Sequence, residues 1–294
     1  MPTQDSEFKI QNSKFKIDDL QAALREQGYI AERGLATALF LSLKLPKPLF
    51  LEGEAGVGKT EVAKTLAAVL GTHLIRLQCY EGLDVSTAVY EWNYARQMMR
   101  IRVLEAQGHT LEFEEEELFG PEFLIERPLL QAVTYPGPER PVLLIDELDR
   151  ADEEFEAFLL ELLSDFQITV PEVGTLRPAH PPAVVITSNR TREVHDALKR
   201  RCLYHWIEHP PFDREVAIVR RRVPDEIAWR VVNAVARLRE EELYKSPGVG
   251  ETIVWARALL ALDGDASLED TLGVALKVHE DLQRVRERGI LAGA

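Results

Sequence analysis

Residues Gly53-Glu54-Ala55-Gly56-Val57-Gly58-Lys59-Thr60 carry the G-x-x-x-x-G-K-[ST] spacing, in which backbone N–H groups turn inward to meet phosphates. Side chains at Gly53, Gly56 and Gly58 would obstruct that approach. Lys59 is expected to set its ammonium between the terminal phosphates of a nucleotide, and the Thr60 hydroxyl to coordinate magnesium, with Glu61 next in line. A second reactive group is Asp146-Glu147, two carboxylates at the end of the apolar run Val142 to Ile145. Asp146 suits a magnesium shell, and Glu147 suits orienting and polarising an attacking water. Asn189 follows the run Ala183 to Ser188, where its amide can bond a water or a terminal phosphate, or merely cap a turn.

Local patterns supply the elements that must hold these groups. Pro48 to Leu51 reads as a buried strand entering the glycine loop, and Glu61 to Leu70 as a helix leaving it, whose N-terminal partial charge adds to the site. His73 to Cys79, Val142 to Asp146, Ala183 to Ser188 and Tyr204 to Glu208 read as further strands. Carboxylates at a strand's C-terminal end lie where open parallel sheets bind ligands. Residues 80–132 are long for a connection and predict an insertion with its own helix or hairpin, its acidic run Glu112 to Glu117 forming a solvated helix face. Gln167 to Leu176 predicts a hairpin, and Ala151 to Leu163 a helix. Beyond Pro210 the strands cease; Phe212 to Arg222, Pro224 to Leu243, Thr252 to Leu262 and Leu268 to Arg288 all read as helices.

Other residues keep two readings each. Tyr29 and Ile30, in the break between two early helices, fit the face of a purine ring or ordinary packing. Arg200 and Arg201 are solvated charge, or reach a nucleotide on a neighbouring subunit and add positive charge in the transition state. Arg257 leans over the cleft or sits solvated on its helix.

The 294 residues carry a formal net charge of -14, which argues against coating nucleic acid or an anionic membrane. Cys79 and Cys202 lack metal-ligand spacing and fit a reduced cytoplasm. Met1 to Lys16 is polar and expected to be frayed rather than a signal peptide; no apolar run is long enough for a membrane span.

Taken in order, these parts resemble the AAA+ ATPases and, within them, the MoxR group. The narrower likeness is to the CoxD-type accessory ATPases of molybdenum-copper carbon monoxide dehydrogenase maturation, carried by LFLEGEAGVGKTEVAK, LQCYEGLD, LLIDELDRAD, ITSNRTREVHDALKRRC and ETIVWARALL. The resemblance implies an α/β P-loop AAA+ core, a parallel sheet flanked by helices, over 18–210, then a helical lid over 211–294, with 1–17 frayed. It implies ATP and magnesium as cofactors, Gly53 to Thr60 as Walker A, Asp146 and Glu147 as Walker B, and Asn189 as sensor 1. Arg201 matches the arginine finger, with Arg200 second, and Arg257 matches sensor 2, though in IVWAR rather than a serine-proline-arginine turn. It further implies a homo-oligomeric ring, commonly a hexamer, remodelling a protein client such as a molybdenum enzyme, with a separate von Willebrand factor A domain partner. Two rivals stand beside this: a nucleic-acid motor or loader, and a nucleotide-dependent scaffold that hydrolyses little.

Overall fold

A strand buried along its whole length belongs in the middle of a sheet covered on both faces, and three segments of the computed structural model meet that condition: Leu49–Gly53, Val142–Asp146 and Ala183–Ser188. Residues 15–106, 118–262 and 266–291 are described. In chain order the elements are α1 (Ile17–Glu26), α2 (Arg33–Lys44), β1 (Leu49–Gly53), α3 (Lys59–Leu70), β2 (Leu74–Gln78), α4 (Val85–Ala88), β3 (Tyr90–Trp92), α5 (Tyr94–Ala106), β4 (Leu124–Glu126), α6 (Pro128–Val133) and β5 (Val142–Asp146). There follow α7 (Glu153–Asp165), β6 (Ile168–Val170), β7 (Gly174–Leu176), β8 (Ala183–Ser188), α8 (Asp196–Lys199), β9 (Leu203–Ile207), α9 (Phe212–Val219), α10 (Asp225–Arg239), α11 (Val249–Ala261) and α12 (His279–Arg288).

The main sheet has the order β2-β5-β8-β1-β9 with every pairing parallel. Alternation of side chains along its strands builds two cores. Phe50, Leu143, Ile145, Val184 and Ile186 pack on one face with residues of α6, α7 and α8. Leu49, Leu51, Val142, Leu144 and Val185 pack on the other with α1, α2 and α3. Because all strands run the same way, Gln78, Asp146, Ser188, Gly53 and Ile207 end at one edge. A parallel sheet covered by helices on both faces is the α/β core that the sequence leads one to expect, and a helical C-terminal region follows it.

The stretch between β2 and α6 contains both a helix, α5, and an antiparallel ribbon that pairs Tyr90 with Glu126. The acidic run Glu112 to Glu117 lies outside the described residues. The hairpin β6–β7 pairs Ile168 with Leu176. Phe15, within the stretch expected to fray, stacks on Phe40 with ring centroids 6.3 Å apart. Burial pushes the thiols of Cys79 and Cys202 up, and both are free.

One expectation needs correction. The single helix predicted over Leu268 to Arg288 is instead a turn-rich segment through Leu272–Val274, followed by α12 from His279. Polar side chains compete with the helical backbone here. Ser267 and Asp270 bond one another, the Thr271 hydroxyl is shared between Ser267 O and the Trp255 indole N–H, and Lys277 Nζ donates to the carbonyls of Gly273 and Val274. Leu268, Leu272, Ala275 and Leu276 remain buried in the core shared by α9 to α12, so packing is kept while the helix is given up. Conversely, α11 starts at Val249 rather than Thr252, because the Glu251 carboxylate caps the Gly248 N–H at 3.1 Å.

Candidate functional site

The glycine loop leaves β1 against a wall. A Cβ on Gly53 would lie 2.3 Å from the Ile207 carbonyl oxygen of β9, and Gly58, which caps α3, has φ +94. Lys59, the first residue of α3, is buried and donates from Nζ to the carbonyls of Gly53 at 2.7 Å and Glu54 at 2.6 Å. Burial pushes its pKa down to about 8, although Asp149, Asp146 and Glu147 pull the other way.

One residue on, the Thr60 hydroxyl donates to Asp146 Oδ1 at 3.0 Å. Asp146 also accepts from Thr187 Oγ1 at 2.6 Å, and from Arg76 Nη2 at 2.6 Å and Nε at 3.0 Å. Next to it, Glu147 adopts φ 56, and its N–H donates to Thr187 Oγ1 at 2.9 Å. Its carboxylate accepts from Gln78 Nε2 at 3.0 Å, from Arg150 at 3.2 Å and from Asn189 Nδ2 at 3.5 Å. Asn189 is placed by Asp149, which takes its N–H at 3.1 Å and the Thr191 hydroxyl at 2.6 Å. Burial pushes the Asp149 carboxyl up, but these hydrogen bonds outweigh it and hold it below the usual range. Strand ends β2, β5 and β8 thus interlock behind the loop.

These groups line one end of a cleft of about 950 Å³ that runs between the sheet edge and the C-terminal helices. Ala55 to Glu61, Asp146, Glu147 and Asn189 lie at that end. Tyr29 and Ile30 lie on the wall, the Tyr29 ring 3.8 Å from where a Cβ on Gly58 would stand, and burial holds its hydroxyl far above the usual range. Arg257 faces the cleft from α11. The helical region touches the loop directly: Gly250 N–H donates to Gly56 O at 3.3 Å, and a Cβ on Gly248 would sit 2.7 Å from Gly56 Cα.

Arg200 and Arg201 do not line this cleft. Arg200 pairs with Asp196 at 2.7 Å, while the exposed Arg201 side chain has no partner among the described residues. Sequence reasoning missed Arg76, Gln78 and Thr187 around the carboxylates, and Arg214, Arg221 and Arg222 along the cleft. Polar residues at alternate positions of the strand from His73 to Cys79 were the available signal for the first two. Arg214 pairs with Glu32 at 3.0 Å, but the side chains of Arg221, Arg222 and Arg257 have no partner among the described residues.

The donor set suits a nucleoside triphosphate with magnesium. A hydroxyl and a carboxylate in contact present hard oxygens to the cation, and no group of three or more His, Cys, Asp or Glu residues forms a dedicated metal cage among the described residues. The unpaired arginines and the α3 N-terminus suit a polyanion.

A family model described as AAA domain, dynein-related subfamily, matches residues 48–202. An uncharacterized protein of Staphylococcus haemolyticus is 25% identical over 238 residues, covering 77% of this chain and 80% of that protein. Among solved structures, a candidate ATPase from Cytophaga hutchinsonii aligns with TM-score 0.52 and 16% identity over 96% of this chain and 88% of its own, a likeness of fold. The Thermotoga maritima RuvB Holliday junction branch migration motor aligns at TM-score 0.44 and 15% identity over 95% and 73%, too distant to carry an argument.

Proposed function

The chain belongs to the AAA-domain family, dynein-related subfamily, and from that premise we propose a magnesium-dependent ATPase of the MoxR group that works as an oligomeric ring and remodels a protein client. The observation that carries the chemistry is the convergence, at one end of the cleft, of Lys59, the Thr60–Asp146 contact and the Glu147–Asn189 pair. Lys59 and the loop amides bind the terminal phosphates. Thr60 and Asp146 would hold magnesium, which when bound neutralises charge on the phosphates. Glu147 orients the attacking water and accepts its proton, with Gln78 and Asn189 fixing the carboxylate. Tyr29 and Ile30 flank the base, and Arg257 meets phosphate from the lid.

Arg201, exposed and unpaired, is the better candidate of the arginine pair to serve a neighbouring subunit. A lid over 211–294 is supported by the separate core of α9 to α12. The sequence stretches of the CoxD-type likeness support a client that is a molybdenum enzyme of the carbon monoxide dehydrogenase kind, a separate von Willebrand factor A domain partner, and a cytoplasmic setting. Among the described residues no helix is long and apolar enough to cross a membrane.

The test is steady-state ATP hydrolysis against protein concentration for wild type, Glu147→Gln and Arg201→Ala. Activity rising steeply with concentration, and lost in both variants while they still bind ATP, supports a shared site in a ring. Nucleotide binding without turnover at any concentration contradicts it.

A further inference from the structure

Glu52 is a buried carboxylate, 4% exposed, one residue ahead of the glycine loop, and the proposed reaction gives it no role. A charge in such a place is costly unless paired and hydrogen-bonded. Both its oxygens are engaged: Lys199 Nζ lies 3.2 Å from Oε1, and the Tyr204 hydroxyl donates to Oε2 at 2.9 Å. Lys199 also lies 5.7 Å from the centroid of the Phe50 ring, so its ammonium is anchored over β1 by both an anion and an aromatic face.

Lys199 is the last residue of α8, and Arg200 and Arg201 follow it directly. On their far side, Leu203 N–H donates to Pro48 O at 2.8 Å, where β9 joins β1. The turn carrying Arg201 is therefore suspended between two fixed points, Pro48 just ahead of β1 and Glu52 near its C-terminal end. The second point adjoins Gly53, whose carbonyl accepts from the Lys59 ammonium.

We propose that the Glu52–Lys199 pair is a positioning device that ties the base of the phosphate loop to Arg201, so that the nucleotide held by one subunit sets the arginine presented to the next. The coupling rests on Arg201 acting in a neighbouring subunit. Lys199 touches no reacting atom; it acts through the turn that it pins.

Mixed oligomers test this. Lys199→Met should bind ATP as wild type does but hydrolyse it about a hundredfold more slowly, the scale of a misplaced transition-state group, whereas Lys199→Arg should keep turnover. Mixed with Glu147→Gln subunits, whose own site is dead but whose arginine turn is intact, Lys199→Met should regain activity, as should Arg201→Ala in a parallel mixture. The proposal is overturned if Lys199→Met turns over normally, if it loses ATP affinity along with turnover, or if it fails to complement where Arg201→Ala succeeds. If Arg201→Ala also fails to complement, the arginine does not act between subunits, and the coupling falls with that reading.

Discussion

At the floor of the cleft Lys59, Asp146 and Glu147 are each held by several hydrogen bonds, whereas along its rim the side chains of Arg221, Arg222 and Arg257 have no partner among the described residues. The floor is assembled from strand ends that the sheet fixes, so its donors and acceptors need little rearrangement before they act. The rim is carried by helices with a core of their own, meeting the loop through Gly56, Gly248 and Gly250. On the proposed function, chemistry belongs to the interlocked carboxylates, whereas affinity for a polyanion is shared between Lys59 with the loop amides on the floor and the unspent charge of the rim.

The contrast can be broken at four places, from the largest effect down. Glu147→Gln should cut turnover by about a hundred- to ten-thousandfold, the range for a positioned general base, while ATP affinity stays near wild type; equal loss of binding would mean that the floor does not separate binding from chemistry. Arg257→Ala should weaken ATP binding by about ten- to a hundredfold, as for a hydrogen bond to a charged group, with adenosine binding unchanged; an equal effect on adenosine would remove the arginine from the phosphates. Gly248→Ala forces a Cβ against Gly56 Cα, and should destabilise the fold by about 1–3 kcal/mol, the usual cost of overpacking, read as a lower midpoint in thermal unfolding. An unchanged midpoint would show that the helical region does not bear on the loop.

The smallest effect concerns pH. Lys59 has its pKa lowered from 10.5 to about 8 by burial, and a bound phosphate favours its charged form, so ATP affinity should fall as pH rises through about 8, by up to about tenfold per unit. Folding responds with the opposite sign. Between about 8 and 10.5 the unfolded chain binds more protons than the folded one, so Lys59 makes the free protein more stable as pH climbs through that window. Lys59→Arg, which stays charged, should flatten the binding profile.

Much of the floor was legible because local sequence dictates it. Glycines at fixed offsets, a strand before them and a helix after them specify the loop, and an apolar run ending in Asp146-Glu147 specifies a central strand. Of the rim arginines, Arg257 was expected over the cleft, whereas Arg221 and Arg222 were not legible, since they lie in the turns after α9 and reach the cleft only through tertiary docking. Arg76 and Gln78 needed the strand order: β2 is recognisable alone, but that it lies beside β5, with Arg76 on Asp146, is a fact of topology. The break before α12 was lost because Thr271 and Trp255 meet across 16 positions of sequence, which no local periodicity records.

The central claim is that this cleft binds the triphosphate of ATP through its floor. Calorimetric titration of ATP with magnesium into wild type and Lys59→Ala tests it most directly. The account predicts saturable binding to wild type and a loss of about ten- to a hundredfold in the variant, the scale of a charge-assisted contact. No binding to wild type, or equal binding to both proteins, would contradict it.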